Sequence, residues 1–348
     1  KSFPPLSDYS EVMLKLLASP NIASKIWVYG QYDHEVGIRT VVKPGYDASV
    51  LRLDNGKFLS IKIDGNPKQC YINPREGAIG CFEEACRNVV CTGAKPIGML
   101  DHLQFGNPRD PEIFWTFLES LNGLTDFAKD FEIPCIGGKV SLYNETPKGS
   151  IKPTPVIGVI GLIDKKPLRV QKINTDDCLI MIGNTKDELG GSEYSEYIHK
   201  FIGGKCPAVD FSESKKNMNA VLELIETELI KSAHDCSKGG LAVAVSELCM
   251  TNLIGCTVSL DDVPGDKMDA DKILFSESHS RYLVTFERKN LQNLEELLKK
   301  HNVSFKTIGG FGGESIRFTD NSKSLIDLSV DKAQKTWLNS LKEMVMHA

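Results

Sequence analysis

Five times in this chain a short apolar run ends in a cluster of glycines and small polar residues. The clusters are Asp64-Gly65-Asn66, Asp101 with Phe105-Gly106-Asn107-Pro108, Gly137 to Asn144, Leu189 to Tyr194, and His234 to Gly240. Each run reads as a strand, and stretches with apolar residues every three to four positions read as helices between them. A chain patterned this way is confined to α/β or α+β layering, where loops at strand ends are the places that ligands occupy. Any one cluster is also an ordinary set of turn residues. Five together point to a nucleotide or a phosphate.

The periodicity assigns most of the chain. DYSEVMLKLLASPNIASK reads as a short amphipathic helix with Val12, Leu14, Leu16 and Leu17 on one side, stopped by Pro20. VYGQYDHEVGIRTVV and ASVLRLDNGKFLSIKID alternate as strands, separated by Pro44-Gly45 and Asn55-Gly56 turns. A helix follows from Pro74 to a Gly93 cap, then a strand at Ile97 to Leu100. Asp110 and Pro111 open another helix with Ile113, Phe114, Phe117, Leu118, Leu121 and Leu124 as its buried stripe. IPCI and PTPVIGVIGLID read as strands around the loop GGKVSLYNET.

The charged turn Lys165-Lys166-Pro167 is the expected domain boundary. It leaves a helical and linker segment at 1–30, a unit at 31–165 and a second unit at 166–348. In the latter, CLIMIG is a strand, helices are expected at Lys215–Lys231 and Leu241–Cys249, and a strand near Cys256–Leu260. LVTFE, LQNLEELLKKH and VSFKTIGGF then form a strand-helix-strand ending that suggests a ferredoxin-like sheet.

Several chemistries are excluded or weakened. The net charge of −5 argues against a nucleic-acid surface, and aromatic residues are not interleaved with basic ones. No apolar run reaches the ~18–20 residues of a membrane helix. The ten cysteines contain no C-x-x-C pair, and Cys81, Cys86 and Cys91 each turn about 140° from the last along a helix, so they share no face for a metal. They read as reduced thiols acting as small hydrophobes. Ser141 lacks a nearby histidine and no G-x-S-x-G elbow occurs. His234 and Asp235, adjacent on a strand, point to opposite faces and do not read as a dyad. Asp64 and Asp101 are either Mg²⁺ ligands, acceptors for ribose or base groups, or turn formers. Gly239-Gly240 at a helix start offers backbone N–H groups to an anion. GGKVSLYNET carries a lysine after two glycines but lacks Walker A spacing.

GGKVSLYNET resembles the G-N-V-S-x-Y-N-E signature of phosphoribosylformylglycinamidine synthase. PNIASKIWVYGQYDHEV, DGNPKQCYINPREGA, EACRNVVCTGAKPI, LQFGNP, PTPVIGVIGLI, ELGGSEY, AHDCSKGGLAVAVSEL and SESHSRYLV are similar to further stretches of that family, in order along nearly the whole chain. The resemblance implies an aminoimidazole-ribonucleotide-synthetase-like two-domain unit. Its N-terminal sheet pairs into a barrel with a partner half, and its C-terminal domain is a ferredoxin-like α/β unit. Where the family's first half carries E-S-H-N-H-P-S, this chain has Asp64-Gly65-Asn66-Pro67-Lys68-Gln69-Cys70-Tyr71, the second half's version.

The chain is therefore expected to be the C-terminal half, its catalytic histidines lying in the missing N-terminal half and its activity low alone. The resemblance implies a cytoplasmic, ATP- and Mg²⁺-dependent carbon–nitrogen ligase of purine biosynthesis. That ligase converts formylglycinamide ribonucleotide to the amidine with ammonia from a glutaminase subunit, with a small bridging subunit. Asp101 and Gly138 match ATP contacts and Ser141 a substrate contact. Lys139 replaces the asparagine that ligates Mg²⁺. An ammonium has no acceptor, so a phosphate contact is expected there instead. Tyr46 replaces an acidic residue beside Asp47, which weakens a metal role for that turn. Homodimerisation of the isolated chain through its open barrel face is expected. Two alternatives stand beside this: a structural, nucleotide-binding half without turnover, and a homodimeric aminoimidazole ribonucleotide synthetase-like enzyme.

Overall fold

The computed structural model describes residues 8–168 and 172–347. The first helices are α1 (Tyr9–Leu17) and the short α2 (Ile26–Tyr29). Asp8 caps α1 by accepting from the Glu11 N–H, and Val12, Met13, Leu16 and Leu17 are buried. The next elements are β1 (Thr40–Val42), β2 (Ser49–Arg52), β3 (Phe58–Asp64), α3 (Pro67–Ile72), α4 (Pro74–Cys91), β4 (Lys95–Gln104), α5 (Pro111–Phe131) and β5 (Cys135–Ser141). The hairpin β6 (Glu145–Thr146) and β7 (Gly149–Ser150) leads to β8 (Thr154–Ile163). Strands β1-β2-β3-β8-β4-β5 make one sheet in that order.

The rest comprises β9 (Cys178–Ile182), α6 (Phe211–Glu226), β10 (Ser232–Asp235), α7 (Gly240–Asn252), β11 (Cys256–Ser259), α8 (Ala270–Phe275) and β12 (Tyr282–Phe286). It ends with α9 (Leu291–Lys300), β13 (Phe305–Phe311), β14 (Ser315–Asp320), β15 (Lys323–Ser329) and α10 (Val330–Met346). The second sheet runs β10-β12-β9-β13-β11-β14-β15. Its first four strands, with α6 and α9, are the interleaved antiparallel order of a ferredoxin-like fold, extended past β13 by three strands.

Four layers result: sheet, helices, sheet, helices. Helix α4 lies between the sheets and is buried on nearly every side, so its polar residues are internal as well. One core joins Phe82, Val89 and Ile157 to Ile180, Leu224 and Val284, and so crosses from the first sheet to the second. The second core lies beyond, between β9 and α1, α7 and α10. Each terminal segment belongs to this far layer: Trp337 Nε1 donates to Ile22 O at 2.9 Å, and Ser24 N to Trp337 O at 2.9 Å.

The structure corrects several readings. VYGQYDHEVGIRTVV is not one strand; helical turns occupy Ile26–Tyr29 and Val36–Ile38, and only Thr40–Val42 is extended. The helix expected at Lys215–Lys231 spans Phe211–Glu226 and starts at the cap Asp210. Asp110 caps α5 as expected, but Phe114 and Leu118 are 44% and 40% exposed beside Trp115 at 54%. The buried face is turned toward Ser120, Gly123, Leu124 and Phe127 because α5 crosses α4 closely: a Cβ on Gly123 would lie 2.5 Å from Arg75 O.

Candidate functional site

The residues GGKVS are not a loop. They are the second part of β5, the open edge of the first sheet, parallel to β4. The register sets Gly138 beside Asp101, Lys139 beside His102 and Ser141 beside Gln104. Alternation along strands then splits the expected site. Asp101 and Gly138 share the face of buried Ile157, whereas Lys139 and Ser141 share the face of Val156. Both faces are reachable because β5 has no outer neighbour.

Asp101 folds over Gly138. A Cβ there would sit 2.2 Å from Asp101 Oδ1, so only glycine admits the carboxylate at this place. The Cys135 thiol lies 3.8 Å from Asp101 Oδ2. Burial raises the Asp101 carboxyl above its ordinary range, against the Cys135 thiol and the Lys139 backbone N–H. Cys135 is exposed, whereas the other described cysteines are buried or half-buried and all are free thiols. Ser141 is fixed by Asn144, whose amide donates to Ser141 O at 2.8 Å and Phe105 O at 3.0 Å. Between them Tyr143 takes φ 61, a conformation that side chains seldom adopt and that its N–H bond to Gly106 O holds.

A second polar centre lies around the edge strand β10, in a cavity of about 450 Å³ lined from the first sheet by Asp47 and Asp64 and from α7 by Glu247. Asp47 from the β1–β2 turn reaches His234 Nδ1 at 2.9 Å, while Glu247 of α7 meets Nε2 at 3.1 Å. Burial opposes charge on His234, but the Asp47 and Glu247 carboxylates outweigh it and hold the ring well above its ordinary value. Burial likewise opposes ionisation of Asp47, yet His234 and the Asp235 N–H hold it down at about 2. Asp235 accepts from Arg87 at 3.3 Å and Asn88 at 3.1 Å. Lys238 bridges Asp64 at 3.0 Å and Glu84 at 3.2 Å; burial opposes its charge, and those two carboxylates restore it.

His234 and Asp235 thus do diverge, as strand geometry requires, but each meets Asp47. Sequence reasoning missed Lys238, Glu84, Arg87 and Asn88. The available signal for Glu84, Arg87 and Asn88 was polar residues at helical spacing within the otherwise apolar run of α4, which burial forces into mutual pairing; Lys238 stands in the turn between β10 and α7.

The glycine pair Gly239-Gly240 is also corrected. Its N–H faces an anion belonging to the chain itself: Glu277 Oε1 accepts from Gly239 N and from Glu193 N, both at 2.8 Å. Burial pushes the Glu277 carboxyl up to about 7, against Lys68 and those two N–H groups.

Neither centre fits a divalent cation. Lys139 brings no acceptor, and Asp101, on the other face, is engaged by the Lys139 backbone N–H and Cys135. Asp47, His234 and Asp235 bring ligand-type atoms within 4.8 Å of one another, but both imidazole nitrogens are taken by carboxylates and Asp235 by Arg87 and Asn88. Among the described residues no helix is long and apolar enough to cross a membrane.

The described residues form a two-domain α/β unit, layered sheet–helix–sheet–helix, with charged clusters at strand ends and at an open sheet edge. The chain belongs to the AIR synthase related protein family. The N-terminal domain model matches residues 45–163, and the C-terminal domain model residues 174–320. Within the family it is similar to phosphoribosylformylglycinamidine synthase subunit PurL. It is 41% identical to that subunit of Alkaliphilus metalliredigens, over 98% of this chain and 46% of the relative. It is 42% identical to that of Methanocaldococcus jannaschii, over 97% and 47%. The chain therefore spans about half the length of the curated relatives it matches. The T. maritima PurL structure complexed with FGAR has the same fold, with TM-score 0.78 and 20% identity over 95% of this chain and 54% of that one. T. maritima PurL complexed with ATP gives TM-score 0.73 at 20% identity, over 95% and 52%.

Proposed function

We propose that this chain is the C-terminal half of a phosphoribosylformylglycinamidine synthase, an ATP-dependent carbon–nitrogen ligase of purine biosynthesis working in the cytoplasm. The observation that carries it is the likeness to PurL over nearly the whole chain but half of the relatives' length. In this reading the unit at 31–165 supplies the β4–β5 edge to a site shared with the missing N-terminal half, and 166–348 braces it. Asp101 accepts hydrogen bonds from the nucleotide, Gly138 allows close approach, Ser141 positions formylglycinamide ribonucleotide, and the Lys139 ammonium contacts a phosphate oxygen. The catalytic histidines, and any Mg²⁺ that accompanies ATP, belong to residues outside this chain.

Ammonia comes from a glutaminase subunit, with a small bridging subunit, a reading supported by the likeness in fold to the structure of PurLQS from Thermotoga maritima. The test is reconstitution. The chain alone turns over no formylglycinamide ribonucleotide with ATP and ammonia, and addition of an N-terminal half restores amidine formation. Turnover by the chain alone, or none after reconstitution, overturns the reading.

A second reading, a nucleotide-holding half that never contacts the reacting groups, is favoured by Lys139 and by the cavity whose charges are already paired. It predicts that Ser141→Ala leaves reconstituted turnover intact.

A further inference from the structure

The open face of the first sheet is apolar over most of its extent. Leu59, Ile61 and Ile63 of β3, Val156, Ile160 and Leu162 of β8, and Leu100 of β4 lie on it by register. One corner differs. The parallel register of β4 and β5 and the antiparallel register of β4 and β8 set two rows across three strands there. Val156, His102 and Lys139 form one row, and Thr154, Gln104 and Ser141 the next.

These five polar side chains hold an ammonium, an imidazole, an amide and two hydroxyls, and no carboxylate. The nearest acid, Asp101, is on the opposite face and is engaged there. Lys139 has no ion-pair or side-chain hydrogen-bond partner among the described residues. His102 Nε2 is shielded from solvent and also lacks a hydrogen-bond partner. A shielded polar atom left unpaired is a cost that an acceptor oxygen removes, and the exposed Lys139 on the neighbouring strand supplies positive charge for that acceptor.

We infer that His102 and Lys139 together clamp the phosphate ester of a bound ligand, with His102 as a binding residue that the sequence did not reveal. A planar imidazole N–H and a mobile ammonium on adjacent strands present donors to two oxygens of one phosphate. The neighbouring Gln104 and Ser141 offer neutral donors to the ester side. The inference rests on the proposed shared site at this sheet edge and extends it by one residue and a ligand group. The phosphate ester belongs either to a nucleotide or to a ribose 5-phosphate moiety, and the chemistry of the corner is the same for both.

The experiment titrates ADP and, separately, ribose 5-phosphate into the full chain by calorimetry without divalent cations. It compares the parent with His102→Leu, Lys139→Met and the double variant, with thermal unfolding to verify folding and His102→Gln as a variant that keeps a neutral donor. The clamp predicts about a tenfold loss of affinity for one of the two probes in each single variant, with partial recovery in His102→Gln. It predicts a double-variant loss smaller than the product of the two, because both groups hold the same phosphate. The probe that responds identifies the source. Unaltered affinity in a folded His102→Leu chain overturns the clamp, as does a parent chain that binds neither probe. The synthetase reading is judged apart, by reconstituted turnover of the parent.

Discussion

Glu277 shows how a single buried group acquires a pH-dependent consequence. Its carboxyl is drawn into the interior by two backbone N–H groups, yet burial makes it titrate at about 7. Because the folded value lies above the ordinary one near 4.5, folding favours the protonated form. The contribution is complete below about pH 4.5 and is lost as pH rises through about 7. Glu277→Gln keeps an acceptor for both N–H groups and cannot ionise. Its thermal midpoint is expected to fall less than the parent's between pH 5 and 8, with an advantage of up to about 3 kcal/mol at the alkaline end. Parallel pH profiles with no difference would remove this account. His234 has the opposite electrostatic logic: its added proton is what Asp47 and Glu247 hold, so its contribution persists to higher pH. In the sequence His234 was visible as a polar residue ahead of a glycine pair and Glu277 only as part of SESHSRYLV. Their partners are far along the chain, and no local pattern encodes such a distance.

Among the elements, α4 and α5 show where helix geometry is set by the absence of a side chain. Gly123 lets α5 approach the Arg75 carbonyl so closely that a methyl group has no room. Gly123→Ala is expected to destabilise the fold by about 1–3 kcal/mol, read as a lower urea midpoint with unchanged slope. A neutral result would mean that α5 can ride outward on α4 without cost. Caps and apolar spacing made α5 legible in the sequence, because Asp110, Pro111 and the stripe act locally. Its rotation was not legible: Phe114 and Leu118 fit the helical period, but the face that Gly123 turns inward decides which residues are covered. The edge strand β5 was misread for a related reason. Two glycines and a lysine look like a loop, yet β4 alongside imposes an extended backbone on them. The candidate residues Asp101, Gly138, Lys139 and Ser141 were found in the sequence, but their division between two faces needed the register.

For the whole molecule, the open sheet face governs association. Ile63, Leu100 and Ile97 are 65%, 40% and 43% exposed on a sheet with an unpaired edge at β5. Such a surface drives pairing with another chain. The isolated protein is expected to sediment with increasing mass as concentration rises, and Leu100→Glu to hold it monomeric at concentrations where the parent pairs. Equal behaviour of the two would place any association elsewhere. The same scale gives meaning to the seam between the chain's two ends. Ile22 and Ser24 are held by Trp337, 315 residues further on in the first case. A ribosome adding about 5–20 residues per second needs on the order of 15–60 s to cross that interval. Until α10 is made the packing around α1 stays incomplete, so part of the apolar face that carries Leu16 and Leu17 waits uncovered, and that face is what a chaperone would find on the nascent chain.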